Sequence, residues 1–265
     1  MRGPSRQTNE KEHPLTKHAA DSSPRLKART AGFLYLISLI MNGFAIFVLS
    51  KLIAPGDAAT TAHNILASEQ LFRYGFAADL VGAICYVGVT LLLYKLFKPL
   101  SGTFSLLAAF LSLVAVAIGG ANLVNLMAPL VLLGGAPYLN AISPDQLQTL
   151  ALTFLRLHAL GYLISVVFFA FYMIVIGCLI VRSTFMPRII GVLLIVESVC
   201  ALIYGFVSFL APPFAAHLFP AILAPGVIGE GSLTLWLLIV GVNAKKWIEL
   251  AAATIERLPG NDGSS

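Results

Sequence analysis

Charge is what this sequence has least of. Only 11% of its 265 residues are Asp, Glu, Lys or Arg, against about 25% in ordinary soluble domains. Hydrophobic residues make up 58%, more apolar surface than a soluble fold of this length could hide. Apolar character runs almost unbroken from Phe33 to Trp247, which leaves no room for a soluble catalytic domain. Cysteine is nearly as scarce. Cys85, Cys178 and Cys200 each sit inside an apolar run without C-x-x-C or Cys/His spacing, so neither a disulfide framework nor a zinc site is indicated and buried, inert thiols are expected. His63, His158 and His217 are scattered and lack helical i, i+4 partners, which makes a poor metal site. Catalytic signatures are missing as well: there is no G-x-S-x-G, H-E-x-x-H or phosphate-binding P-loop, and no motif calls for a cofactor. The glycine-rich string Gly226 to Gly231 opens an apolar span instead of following a strand, so close helix packing explains it better than phosphate binding. The formal charge of +5 is spread between apolar runs; a nucleic-acid reader needs a clustered basic face with stacking aromatics.

What the chain does have is long hydrophobic runs. A membrane-spanning helix needs about 20 mostly apolar residues, because a rise of about 1.5 Å per residue must cross roughly 30 Å of hydrocarbon. Six stretches qualify: Thr30 to Leu52, Leu71 to Phe97, Thr103 to Met127, Leu150 to Val181, Ile189 to Leu210 and Phe219 to Val242. Spanning segments must satisfy their own backbone hydrogen bonds, and these runs are continuous rather than alternating, so helices are predicted and a β-barrel is not. The fold class is therefore an all-α polytopic membrane bundle of six transmembrane helices. The first run exceeds a signal-peptide core and lacks an A-x-A cleavage site, and is expected to remain as an anchor.

Between the runs, Pro55-Gly56-Asp57, Lys98-Pro99-Leu100-Ser101-Gly102, Gly134-Gly135-Ala136-Pro137 and Pro212-Pro213 disfavour helix continuation. Asp57 to Gln70 is readable either as a short helix capped by Asp57, with Ile65, Leu66 and Ala67 dipping toward lipid, or as a solvated loop. Lys and Arg gather in alternate loops, at Lys27, Arg29, Lys95, Lys98, Arg182, Arg188, Lys245 and Lys246. Short cytoplasmic loops are enriched in these residues, so both chain ends are expected in the cytoplasm. The domain reading is a disordered basic tail at residues 1–28, a transmembrane domain at 29–248 and a short cytoplasmic tail at 249–265. The lipid bilayer is the expected partner, and nucleic acid is not.

Several local strings carry a family resemblance. They are Arg29-x-Ala31-Gly32-x-Leu34-Tyr35-Leu36, Ala62-x-Asn64-Ile65 followed by Leu71-Phe72-Arg73-x-Gly75, Leu93-Tyr94-x-Leu96-x-Lys98-Pro99, His158-x-x-Gly161, Ser183-x-x-x-Pro187-Arg188-x-x-Gly191, and Gly229-Glu230 leading to Leu235-Trp236-Leu237-Leu238. In order and spacing they resemble the bacterial DUF4386 family, integral membrane proteins of unknown function, over roughly Ala28 to Gly241. The resemblance implies a multi-pass location in the bacterial cell (inner) membrane and brings no activity or catalytic residues.

Ionisable groups inside hydrocarbon are costly enough to mark candidate sites. Counting helical rise from the flanking cations, Glu197 lies roughly 14 Å above Arg188, while Asp79 and Glu230 lie roughly 22 to 24 Å above Lys95 and Lys245. Arg73, Arg156 and His158 fall near the outer interface, and Asn42, Asn122 and Asn125 add polarity to the same half. The expected site is an intramembrane polar pocket of Asp79, Arg156, His158, Glu197 and Glu230, with Arg73 at its rim; each carboxylate would pair with an Arg or hold a proton. The bland alternative has the arginines snorkelling to headgroups and the carboxylates bonding neighbouring helices. The leading functional expectation is a non-enzymatic binding, sensory or accessory protein. A small proton-coupled or solute transporter is the alternative; six spans are few for a transporter monomer, so that reading favours a homo-oligomer, with Pro225-Gly226 interrupting the last span. An intramembrane enzyme using a carboxylate and His158 is the third.

Overall fold

The computed structural model describes residues 23–256. Residues 1–22 and 257–265, which hold most of the two expected tails, lie outside the described residues. The described chain forms α1 (Pro24–Leu52), α2 (Ala58–Ala67), α3 (Glu69–Phe97), α4 (Gly102–Leu133), α5 (Pro144–Arg182), α6 (Arg188–Leu210), α7 (Pro212–Leu218), α8 (Ala224–Ile239) and α9 (Ala244–Glu256), with single 3-10 turns at Pro137–Leu139 and Ala221–Leu223. No strand occurs among the described residues. Helices α1, α3, α4, α5 and α6, together with α8 and its preceding turn, are long and apolar enough to cross a membrane. Their outward faces carry exposed Ile84, Phe110 and Ile189, apolar surface that lipid covers at no cost and water does not. The protein is a six-span membrane bundle.

Helix starts follow ordinary capping chemistry. The Ser143 side chain accepts from the Gln146 N–H while Gln146 reaches back to the Ser143 N–H, a reciprocal box that opens α5. The Asp57 carboxylate accepts from the Thr60 N–H at 2.9 Å and from its hydroxyl at 2.6 Å, so the segment after Pro55 is a helix and not a loop. Of the three residues expected to dip toward lipid, Ile65 is fully buried against Val48, Leu52, Phe72 and Leu155, while Leu66 and Ala67 are exposed. Pro225 sits in the first turn of α8, where a missing N–H costs nothing. It opens the regular helix at Ala224, after the 3-10 turn Ala221–Leu223 with which the last span begins. The thiols also differ from expectation, since Cys178 is exposed and Cys85 and Cys200 are half-buried.

The expected boundaries at 28/29 and 248/249 both fall inside helices. At α1 the reason is a tertiary contact: the Arg29 guanidinium donates to the Ile239 carbonyl at 3.1 Å, satisfying an orphan group at the end of α8 and drawing the first turn of α1 onto the bundle. Helix α9 folds back beneath the same end. Its Trp247 Nε1 donates to the Leu96 carbonyl at 2.8 Å, and the Asn243 N–H donates to the Phe185 carbonyl at 3.1 Å. Lys27 lies 5.8 Å from the Trp247 ring centre.

The six spans form a closed ring in sequence order. Each packs on the next, from α1 through α3, α4, α5 and α6 to α8, and α8 packs back on α1. No pair across the ring packs comparably. Ring closure depends on Gly32, where an added Cβ would lie 2.5 Å from the Leu238 nitrogen; any side chain would force α1 and α8 apart. The end of the ring nearest the described chain ends is filled by Leu93, Leu96, Phe97, Ile180, Leu194 and Leu237. The opposite end is tied by the smaller cluster around Ile65.

A carboxylate-lined cavity within the ring

Between these two apolar clusters the centre of the ring is unfilled. The cavity measures about 650 Å³ and is lined by residues of all six spans. Helical phase selects the lining. Tyr35, Ser38 and Asn42 lie at i, i+3 and i+7 on α1; Asp79, Ala83 and Tyr86 lie at i, i+4 and i+7 on α3; His158, Tyr162 and Ser165 repeat that spacing on α5. Such spacings stack side chains on one helix face. Helix α6 contributes Glu197, Ser198 and Ala201, α4 contributes Asn122, and α8 contributes Glu230.

Two of the three carboxylates are held firmly. The Tyr35 hydroxyl donates to Glu230 Oε2 at 2.8 Å, and its ring meets Tyr86 edge-on, with centroids 5.2 Å apart. Tyr86 in turn packs on Phe169 and Tyr172, so an aromatic floor supports Glu230. Glu197 is only 5% exposed, and its carboxylate lies against the backbone of Gly229, where any Cβ would collide with it. Among the described residues, that oxygen, Oε2, has no hydrogen-bond partner, and neither does the Tyr86 hydroxyl. Asp79, half-buried, lies within electrostatic reach of His158.

A polar strip lines the α4–α5 side. Asn122 Nδ2 donates to the His158 carbonyl at 2.7 Å and lies 3.2 Å from His158 Nδ1, while Asn125 donates to Asn122 Oδ1 at 3.0 Å. Gly161 makes room for this network, since a Cβ there would strike the Asn122 amide. Across the cavity the Ser38 hydroxyl donates to the Gly82 carbonyl at 3.0 Å and accepts from Asn42.

Of the residues singled out from the sequence, Asp79, His158, Glu197 and Glu230 line this one cavity. Arg156 and Arg73 do not. Arg156 is exposed on the outside of α5; two residues at about 100° each put it roughly 200° from His158. Arg73 is exposed and bound to Glu69 one turn earlier, Nη2 to Oε1 at 2.7 Å. No Lys or Arg among the described residues lines the cavity, so the anticipated pairing of carboxylate with arginine is not made there by any of them. Tyr35, Tyr86, Tyr162, Ser38 and Ser198 were missed by sequence reasoning. Their signal was available in α1, where Tyr35, Ser38 and Asn42 share a face.

Chemically, the cavity presents acceptors and ring faces. Hydrogen bonds to His158 come from Asn122 alone, so no Ser, Thr or Cys nucleophile is paired with it. No group of three or more His, Cys, Asp or Glu side chains among the described residues is gathered tightly enough to hold a metal ion.

No curated protein matches the chain, and no solved structure does. The model of a domain of unknown function, DUF4386, matches residues 30–241, most of the chain, and the protein belongs to that family.

Proposed function

We propose that this protein is a membrane-embedded solute-binding protein of the carrier type, with the ring cavity as its binding site. The observation that carries the reading is the unfilled ring centre, lined by the side chains of Asp79, His158, Glu197 and Glu230. Protein interiors are close-packed. A structural core would have closed over the ring centre; a binding site keeps it open. The volume falls inside the range of about 300 to 1,000 Å³ typical of small-molecule sites. An enzymatic role has less support, because His158 is bonded to asparagine rather than to a nucleophile or its orienting carboxylate.

Orientation belongs to the same reading. Lys95, Lys98, Arg182, Arg188, Lys245 and Lys246 all lie at the end of the bundle that carries α9, and the excess of cations supports placing that end in the cytoplasm of a bacterial inner membrane. The cavity then occupies the half that faces outward.

The test uses a cavity-filling variant. Gly120 lines the cavity and has open space at its Cβ position. Gly120→Leu should fold normally while occupying the site. Thermal-shift screening of a metabolite library in nanodiscs is expected to find solutes that raise the melting temperature of the natural protein and leave Gly120→Leu unmoved. Equal shifts in both proteins, or none in either, would remove the proposal.

A further inference from the structure

We propose that the solute is an organic cation, an ammonium or amidinium group carried on a hydrocarbon body. The inference rests on the cavity being the binding site and adds the class of ligand. Three acidic residues, Asp79, Glu197 and Glu230, line the cavity, and His158 is the only basic residue among its described walls. A carboxyl in a low-dielectric interior either holds a proton or pairs with a positive charge, and no Lys or Arg among the described residues supplies one there. A cationic solute favours the ionised form and an anionic one opposes it, so only a cation gains from all three groups.

Two further observations point the same way. Glu197 and Tyr86 line the cavity, and each carries an oxygen, Oε2 and the hydroxyl, that makes no hydrogen bond among the described residues. The floor beside them is built from Tyr35, Tyr86 and Phe169, and aromatic faces attract cations, alkylammonium groups above all. A bare metal ion fits poorly, since the acidic groups stand on three separate helices without converging into a ligand set. The remaining walls, Leu39, Val116, Leu163, Val166 and Met173, suit the hydrocarbon part of an amine.

Charge-selective thiol modification tests this without knowledge of the natural solute. In a chain with Cys85, Cys178 and Cys200 replaced by Ala, Ala201→Cys and, separately, Ala83→Cys place one thiol on the cavity wall. Each is reacted at pH 8 with cationic trimethylammonioethyl, anionic sulfonatoethyl and neutral methyl methanethiosulfonate, with every rate normalised to that of free 2-mercaptoethanol. The cationic reagent should exceed the anionic one by about tenfold or more, as expected for a net negative charge within about 10 Å of the thiol in a partly screened interior. Glu230→Gln with Asp79→Asn should abolish most of that preference. Reaction with the neutral reagent but no cationic preference would overturn the cation assignment and leave the cavity reading intact. Failure of all three reagents at both positions would overturn both.

Discussion

Gly229 gives the most direct test of the site's packing. In an isolated helix, Gly→Ala is favourable by about 1 kcal/mol, so Gly229→Ala should stabilise α8 if nothing occupies the space beside it. The structure places the Glu197 carboxylate there. Displacing a buried side chain in a packed interior costs typically about 1 to 3 kcal/mol, so the single variant should be neutral or destabilised by up to about 2 kcal/mol. Removing the obstacle reverses the sign: in a Glu197→Ala background the same Gly229→Ala change should stabilise by about 1 kcal/mol. The coupling in a double-mutant cycle is therefore about 1 to 3 kcal/mol, well above the additivity error of about 0.5 kcal/mol for independent sites. Unfolding by SDS titration in mixed micelles measures all four proteins under one condition. If Gly229→Ala shifts stability by the same amount with and without Glu197, the carboxylate does not lie against Gly229 and the described packing of α6 on α8 is wrong.

Tyr35→Phe keeps the ring stacked on Tyr86 but strips Glu230 of its donor; a loss of about 1 to 3 kcal/mol is expected in the same titration, and an unchanged midpoint would show that the bond contributes nothing. Asp57, outside the spans, has its pKa lowered from 3.8 because it accepts hydrogen bonds from the Thr60 side chain and backbone. A depressed folded value means the cap stabilises α2 fully above the ordinary carboxylate value and is lost as pH falls through the lower, folded one. Amide-exchange protection at Thr60 should thus stay level from neutral pH down to about 5 and fall in stronger acid, whereas Asp57→Asn should show no such step; identical profiles would contradict the cap.

The spans were legible because lipid imposes a length and a composition that few other environments demand. Their ends were less so. Pro24 starts α1 ahead of its apolar run because Arg29 reaches the end of α8, a partner more than two hundred residues away that no local pattern reveals. Asp79, Glu197 and Glu230 stood out as charges in apolar runs, and their depth could be counted from helical rise. Which face they occupy could not be read from depth, and that is how Arg156 came to be grouped with His158. Helical phase separates the two, and it also groups Tyr35 with Ser38 and Asn42. The ring order, with α8 closing on α1 across Gly32, is a tertiary fact; a glycine in the sequence marks closeness without naming the neighbour.

Helix α8 has a consequence that its length dictates. At 16 residues it spans about 24 Å, short of the roughly 30 Å hydrocarbon slab, so the 3-10 turn Ala221–Leu223 lies at membrane depth. Irregular backbone survives there only when buried in protein or bordering a hydrated space, and Ile222 and Leu223 border the cavity. The compartment is therefore bounded on one side by the irregular start of the last span rather than by a regular helix face.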